Sequence, residues 1–191
     1  RRPRSLARWP PSIRCPTPTW RSSAACWRRA WGPICQPRPV TAPLRLGIAG
    51  LGTVGIGTVK IAQRHAGLIA RRAGRPVEIV AVSARDRGRN RDADLSAYAW
   101  ESDPVDLARR SDIDVFVEVM GGSEGAARDA TEAAIAAGKD VVSANKALLA
   151  HHGQALAEAA EAKGRVIRFE AAVAGGIPVI KALTEGLAGN E

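Results

Sequence analysis

The first 43 residues of this 191-residue chain hold no acidic side chain and no lysine, and the residues after them hold no cysteine. Nine arginines precede Leu44, so 19 of the 28 basic residues follow it, against 19 acidic ones, and the whole formal charge of +9 belongs to the leader. The bulk of the chain is therefore electrically balanced. Without cysteine it cannot rely on disulfides, which fits a cytoplasmic protein. No apolar run approaches the roughly 20 residues needed to cross a bilayer, so no membrane segment is expected. Histidine is scarce as well. His65 stands inside an expected helix, and His151 and His152 are adjacent rather than on one helical face, so zinc is not expected. No Ser-His-Asp set or paired carboxylates point to hydrolysis.

The leader is instead rich in proline, with nine, and in tryptophan (Trp9, Trp20, Trp27, Trp31), and it carries Cys15, Cys26 and Cys35. A basic, aromatic arm could grip phosphates and stack on bases. However, it has no helical or alternating period, its prolines interrupt regular elements, and no nucleic-acid-binding motif is present, so nucleic acid is not an expected partner. The cysteines lack metal-ligand spacing and are odd in number for disulfides. A mitochondrial transit peptide, arginine-rich and acid-poor, is a better functional rival, although the tryptophans and prolines argue against one amphipathic helix. The preferred reading makes residues 1–43 a disordered or non-native leader, with residues 1–39 lying upstream of a start at Val40.

From Leu44 the pattern changes. Residues 44–49, Leu-Arg-Leu-Gly-Ile-Ala, suit a buried parallel strand. Gly50-Leu51-Gly52-Thr53-Val54-Gly55 follows, then a helical stretch to about Ala73 closed by Gly74 and Pro76, then a second strand over residues 77–82. Together these make a βαβ unit. In such a unit Gly50 permits the tight turn, Gly52 lets the main chain approach a pyrophosphate, and Gly55 lets the helix pack closely on the strand. The free N–H groups and positive end of the helix face the anion, so Thr53 and Val54 join the three glycines as candidate contacts. GxGxxG alone is weak; between a strand and a helix it points to a dinucleotide.

The end of the second strand selects between cofactors. An acid there hydrogen-bonds the ribose of NAD, whereas an arginine accommodates the 2′-phosphate of NADP. The sequence reads Ser83-Ala84-Arg85-Asp86-Arg87, with Arg85 arriving first, so NADP is favoured and NAD stays open. The alternative is a solvated loop of Arg85, Arg87, Arg89 and Arg91, balanced by Asp86, Asp92 and Asp94, that selects nothing.

The remainder repeats the alternation. Asp103 and Pro104 form an N-cap with proline at the first helical position, opening a short helix to about Arg110. Further strands are expected over residues 114–119, 140–143 and 165–170, and helices over about 124–137 and 153–163, ended by Gly138 and Gly164. Five strands separated by helices predict an α/β, Rossmann-like, doubly wound and mostly parallel sheet. Ligands of such sheets lie beyond the carboxyl ends of the strands. The turns to read are residues 50–55, 120–123, 143–146 and 170–178.

Taken in order, GLGTVG at residues 50–55, VMGG at 119–122, SANKALLA at 143–150 and EAAVAGGIPVIK at 170–181 resemble homoserine dehydrogenase. The resemblance covers about three quarters of the chain, and its last block is the most specific. It implies reversible reduction of aspartate 4-semialdehyde to homoserine, a step toward threonine, methionine and isoleucine, by hydride transfer to the aldehyde carbon and proton donation to the oxygen. It places the nicotinamide ring near Gly121, Gly122, Ser143 and Asn145, and Lys146 in the active site. It also implies a monovalent cation such as Na+ or K+ at Glu170, Val173, Gly175 and Ile177. Gly175 departs from family versions with alanine, which costs little if only its carbonyl binds.

The residue types agree with these roles. A lysine at the carboxyl edge of a strand, in a partly dehydrated site, can stabilise developing negative charge on oxygen or hand it a proton. The other reading of Lys146 is an ordinary exposed lysine starting a helix. A small-residue segment after a strand exposes carbonyls that can ring a hard cation, the alternative being a flexible hinge. Pro178 suits the first turn of the helix that follows.

The expected organisation is the leader, an NAD(P)-binding domain over residues 44–170, and the start of a substrate domain over 171–191. Family members carry a further catalytic acid and lysine, the homoserine contacts and the dimerisation surface beyond this point. The chain is therefore expected to bind cofactor weakly at most and not to turn over homoserine, with a homodimer implied for the complete enzyme. Two other readings stay in view: a non-catalytic dinucleotide-binding module, and another amino-acid or semialdehyde dehydrogenase.

Overall fold

The computed structural model describes residues 42–187. The expectations for the leader and its start at Val40 fall outside that range. Six strands are present: β1 (Leu44–Ala49), β2 (Val77–Ser83), β3 (Ala99–Glu101), β4 (Val115–Glu118), β5 (Asp140–Ser143) and β6 (Ile167–Arg168). The helices are α1 (Thr53–Arg64), α2 (Ala66–Ala73), α3 (Pro104–Arg109), α4 (Ala126–Ala136), α5 (Lys146–Ala162), α6 (Glu170–Val173) and α7 (Val179–Gly186). Every strand pairing is parallel, in the order β3-β2-β1-β4-β5-β6. This is the doubly wound Rossmann order. Its direction reverses between β1 and β4, which opens a crevice at the carboxyl ends of those strands.

Each face of the sheet buries its own apolar set. Ala49, Ala81, Phe116 and Val141 pack against Leu107 of α3, Ala130 and Ala134 of α4, and Leu148 and Leu156 of α5. On the other face Ile48, Val82, Val115 and Val117 pack with Val59 of α1. The strands read as near-continuous apolar runs because both faces are covered around β1 and β4.

Several expectations change. A sixth strand, β3, was not expected; its three residues are too short to show a period, and only pairing with β2 defines it. The last strand is two residues rather than six, because Phe169 already leads into α6. The first helix is two, broken at His65, whose φ of −114° and ψ of 20° leave the helical range. The helix expected from Gly153 begins at Lys146 instead, because Asn145 caps it by accepting from Leu148 N–H at 3.1 Å. Residues 170–177 are not an open loop, since Glu170–Val173 form one helical turn. Pro178 sits at the N-cap of α7 rather than inside its first turn. The Asp103 cap is as expected, accepting from Val105 N–H at 2.8 Å with Pro104 beside it.

At the opposite end of the sheet from the crevice, Arg45 grips Asp114 through Nη2 at 2.8 Å and Nε at 3.1 Å, tying β1 to the start of β4. The Arg45 hydrogen bond holds the Asp114 carboxyl below the usual carboxylate range, against the opposing effect of burial. Arg110 does the same to Asp112. A depressed folded-state pKa gives stability that is complete above the unfolded value of about 3.9 and is lost as pH falls through the lower folded value. Solvent screening keeps the gain small. Arg45→Met is expected to lower the melting temperature by a few degrees at neutral pH, and the gap to the wild type should close toward about pH 2. A gap that persists in acid would assign the loss to packing instead.

Candidate functional site

Gly50 leaves β1 with φ +101°, and its N–H donates to the Ser83 carbonyl at 2.8 Å. A Cβ there would stand 2.7 Å from the Val119 carbonyl oxygen, so the turn is pressed against the end of β4. Gly55, in the first turn of α1, is buried, and a Cβ on it would collide with the Gly50 carbonyl oxygen. Gly52 differs. A Cβ there would meet no heavy atom within 4 Å among the described residues. The fold itself has no need of glycine at this position. Gly52 is the N-cap of α1 and no side chain caps it, so the first-turn N–H groups of Thr53, Val54 and Gly55 are left to an outside acceptor. The helix dipole makes that acceptor an anion.

Two hollows meet over this turn. One, of about 450 Å³, runs from Gly50 and Gly52 past Ser83 and Arg85 to Gly121. The other, of about 400 Å³, lies among Val54, Gly121, Asn145 and Lys146. Val119, Met120 and Gly121 line both, so the hollows adjoin across the point where the strand order reverses. An uncapped helix start with a hollow on either side suits a pyrophosphate with a nucleoside on either side.

In the first hollow Arg85 and Arg89 are exposed on the wall, with Arg91 half-buried beside them. The sequence reading singled out only Arg85. Arg91 turns inward: Nε donates to the Leu51 carbonyl at 3.3 Å, Nη1 to Arg89 O at 2.9 Å, and Nη2 to Asp86 O. Its guanidinium lies 5.5 Å from the centre of the Trp100 ring, and that of Arg87 lies 5.8 Å from it. The loop is thereby fastened over the glycine turn. The acids that were to balance it are engaged elsewhere, Asp92 with Lys60 at 2.9 Å and Asp94 with Ser96 at 2.6 Å. Asp86 Oδ1 takes the Gly88 N–H. Nothing but distance in sequence hid Arg91, since Leu51 lies 40 residues away.

At the second hollow the structure brings the VMGG and SANK turns together on a residue the sequence reading passed over. Glu118 is fully buried at the end of β4 and receives hydrogen bonds from Met120 N–H, Gly121 N–H, Ser143 Oγ and Asn145 Nδ2. Ser143 and Asn145 are themselves buried, and their polar atoms serve this network rather than the open cleft. The signal was present as an acid in the otherwise apolar run Val-Phe-Val-Glu-Val. Gly121 and Gly122, at φ +86° and +87°, are exposed on the rim.

Lys146 is exposed as the first residue of α5 and lines the same hollow as Gly121 and Val54. A cation at a helix N-terminus opposes the helix dipole by about 0.3–1 kcal/mol, so helix stability does not account for a lysine here. The segment expected to hold a cation is built differently from its sequence reading. Glu170 spends both carboxylate oxygens on α7, accepting from Ile180 and Lys181 N–H at 3.0 Å each. Val173 and Ile177 are about half and two-thirds exposed, and Gly175 turns the chain with φ +64°. Among the described residues no group of three His, Cys, Asp or Glu side chains could hold a metal. No helix among them is long and apolar enough to cross a membrane.

The family model for the homoserine dehydrogenase NAD-binding domain matches residues 50–170, from the first glycine of the turn to Glu170. The chain belongs to the homoserine dehydrogenase family. The homoserine dehydrogenase of Pseudomonas aeruginosa is 49% identical over 148 residues, covering 78% of this chain and 33% of the relative. That of Neisseria gonorrhoeae is 46% identical, covering 78% and 34%. The crystal structure of a homoserine dehydrogenase from Thiobacillus denitrificans matches with a TM-score of 0.72 at 45% identity, over 78% of this chain and 34% of that one. The chain thus spans about one third of the length of these homoserine dehydrogenases, and the shared third is the nicotinamide-dinucleotide domain.

Proposed function

We propose that this chain carries the cofactor half of an NADP-dependent homoserine dehydrogenase, with residues 44–170 binding the dinucleotide and residues 171–191 leading into the substrate domain. The observation that carries the reading is the empty space at Gly52, before an uncapped helix, in a crevice whose other hollow is lined by Lys146. Thr53, Val54 and Gly55 N–H would hold the pyrophosphate, and Arg85 the 2′-phosphate, which favours NADP over NAD. Gly121 and Gly122 would leave room for the nicotinamide ring, while Ser143 and Asn145 hold that rim in shape. When bound, the cofactor supplies hydride exchange with aspartate 4-semialdehyde or homoserine. The Lys146 ammonium would stabilise the substrate oxygen as charge develops on it.

The whole enzyme in this proposal is a cytoplasmic homodimer acting in threonine, methionine and isoleucine biosynthesis. A Na+ or K+ ion on the carbonyls of Glu170, Val173, Gly175 and Ile177 would brace the junction between the domains and take no part in the chemistry.

Fluorescence titration of the chain with NADPH and NADH tests the cofactor reading. Arg85→Ala is expected to weaken NADPH binding about tenfold and NADH binding hardly at all, as befits one lost charged contact. An unchanged ratio removes Arg85 from the account, and a chain that binds neither dinucleotide overturns the reading. In the longer enzyme, Lys146→Met is expected to lower kcat at least about 100-fold without loss of folding or cofactor affinity. Turnover near that of the parent would make Lys146 an ordinary exposed lysine with no part in the chemistry.

A further inference from the structure

Glu118 presents a chemical oddity that its bracing role leaves unexplained. Four hydrogen-bond donors converge on it: Met120 N–H at 2.8 Å, Gly121 N–H at 3.3 Å, the Ser143 hydroxyl at 2.6 Å and the Asn145 amide at 3.4 Å. Second bonds fix which way these groups point. Ser143 Oγ accepts from Asn145 N–H, which leaves its own hydrogen available to Glu118 Oε2. Asn145 Nδ2 donates to the Gly122 carbonyl at 2.6 Å while Oδ1 accepts from Leu148 N–H, so the amide cannot be turned round. A carboxylate can accept from all four of these groups at once.

No ion pair among the described residues involves Glu118. Lys146, the cation next to Asn145 in sequence, is exposed, whereas Glu118 has no accessible surface. A buried charge without a counter-charge is costly, and a neutral glutamine could accept from the same main-chain donors without that cost. The cost is borne at the end of β4, between the Met120–Gly121 turn and Asn145, groups that line the second hollow.

We propose that Glu118 is a fixed counter-charge for the nicotinamide ring, biasing this crevice toward the oxidised form of the cofactor. The inference rests on the dinucleotide reading given above. Loss of hydride turns the neutral dihydronicotinamide into a ring with one positive charge, and the phosphates and adenosine are the same in both forms. The affinity ratio of the two forms therefore isolates the charge felt at the ring. Buried behind that wall, a full negative charge is screened less than an exposed one would be.

Titration of the 191-residue chain with NADP+, NADPH and 2′,5′-ADP, which lacks the ring, separates the cases. Glu118→Gln keeps the shape and an oxygen for Met120 and Gly121 but removes the charge. It is expected to raise the ratio of Kd for NADP+ to Kd for NADPH about tenfold while leaving 2′,5′-ADP within about twofold. Ser143→Ala loosens the network and keeps the charge, so it should weaken both dinucleotides together with their ratio unchanged. An unchanged ratio in a Glu118→Gln chain that circular dichroism shows to be folded overturns the proposal.

Should that variant fail to fold, the wild type decides. A Kd for NADP+ no greater than that for NADPH supports the counter-charge, and a greater one overturns it. A chain that binds none of the three probes overturns the dinucleotide reading as well. One that binds 2′,5′-ADP but shows the wrong ratio overturns the counter-charge alone.

Discussion

Gly52→Asp is expected to make this chain more stable and at the same time unable to hold a dinucleotide. Gly52 already has N-cap geometry, with φ −78° and ψ −162°, values an L-residue adopts without strain. A Cβ there meets nothing among the described residues. The aspartate carboxylate can therefore accept from the free first-turn N–H groups of α1 and complement the helix dipole, a gain of about 0.5–1 kcal/mol over glycine. On a chain of this size that is a rise of roughly 1–4 °C in melting temperature. The same carboxylate occupies the anion site and repels any phosphate that approaches, so NADPH affinity should fall at least about 100-fold. A thermal melt and a titration on one preparation read both effects. A lower melting temperature would show that the space is not open, and retained affinity would place the pyrophosphate elsewhere.

What could be read in advance was what depends on neighbours in sequence. β1 was located to the residue because a short apolar run followed by Gly-x-Gly is a local signal, and the Asp103–Pro104 helix start is equally local. The start of α5 was misplaced although its cap, too, is local. Asn145 caps by bonding Leu148 three residues on, but Gly153 seven residues into the helix looks like a beginning. β3 exists through its pairing with β2 and shows no period of its own.

The candidate site divides in the same way. The glycine turn and the Lys146 turn carry their residue types in short motifs. Glu118 joins segments 25 and 27 residues apart, and Arg91 reaches a carbonyl 40 residues back, so neither role is visible until the strands are assembled. Ser143 and Asn145 are expected near the nicotinamide ring; Asn145 lines the second hollow, and both spend polar atoms on Glu118, Gly122 and Leu148, a bracing role no short motif displays.

Gly55→Ala, three positions along the same turn, should act in the opposite direction from Gly52→Asp. Helix propensity alone favours alanine over glycine by about 1 kcal/mol in a helix interior, so an isolated α1 would gain. In the folded chain the added Cβ collides with the Gly50 carbonyl oxygen and stands 3.2 Å from Val119 Cγ2. Side chains can give way by rotating, but this carbonyl cannot. Gly50 is fixed by its N–H bond to Ser83 at 2.8 Å and stands so close to the end of β4 that even a Cβ would lie 2.7 Å from the Val119 carbonyl oxygen. Relief therefore requires α1 to move off β1, which uncovers Val59 and the apolar face it seals. Overpacking against main chain at a fully buried contact costs about 3 kcal/mol or more, a large part of the roughly 5–15 kcal/mol that stabilises a domain. The packing effect outweighs the propensity gain. Urea denaturation of the two chains is expected to show a midpoint clearly lower for Gly55→Ala. A midpoint equal to or above the wild type would mean that α1 does not approach β1 as closely as described, and the anion site at its start would lose its geometric basis.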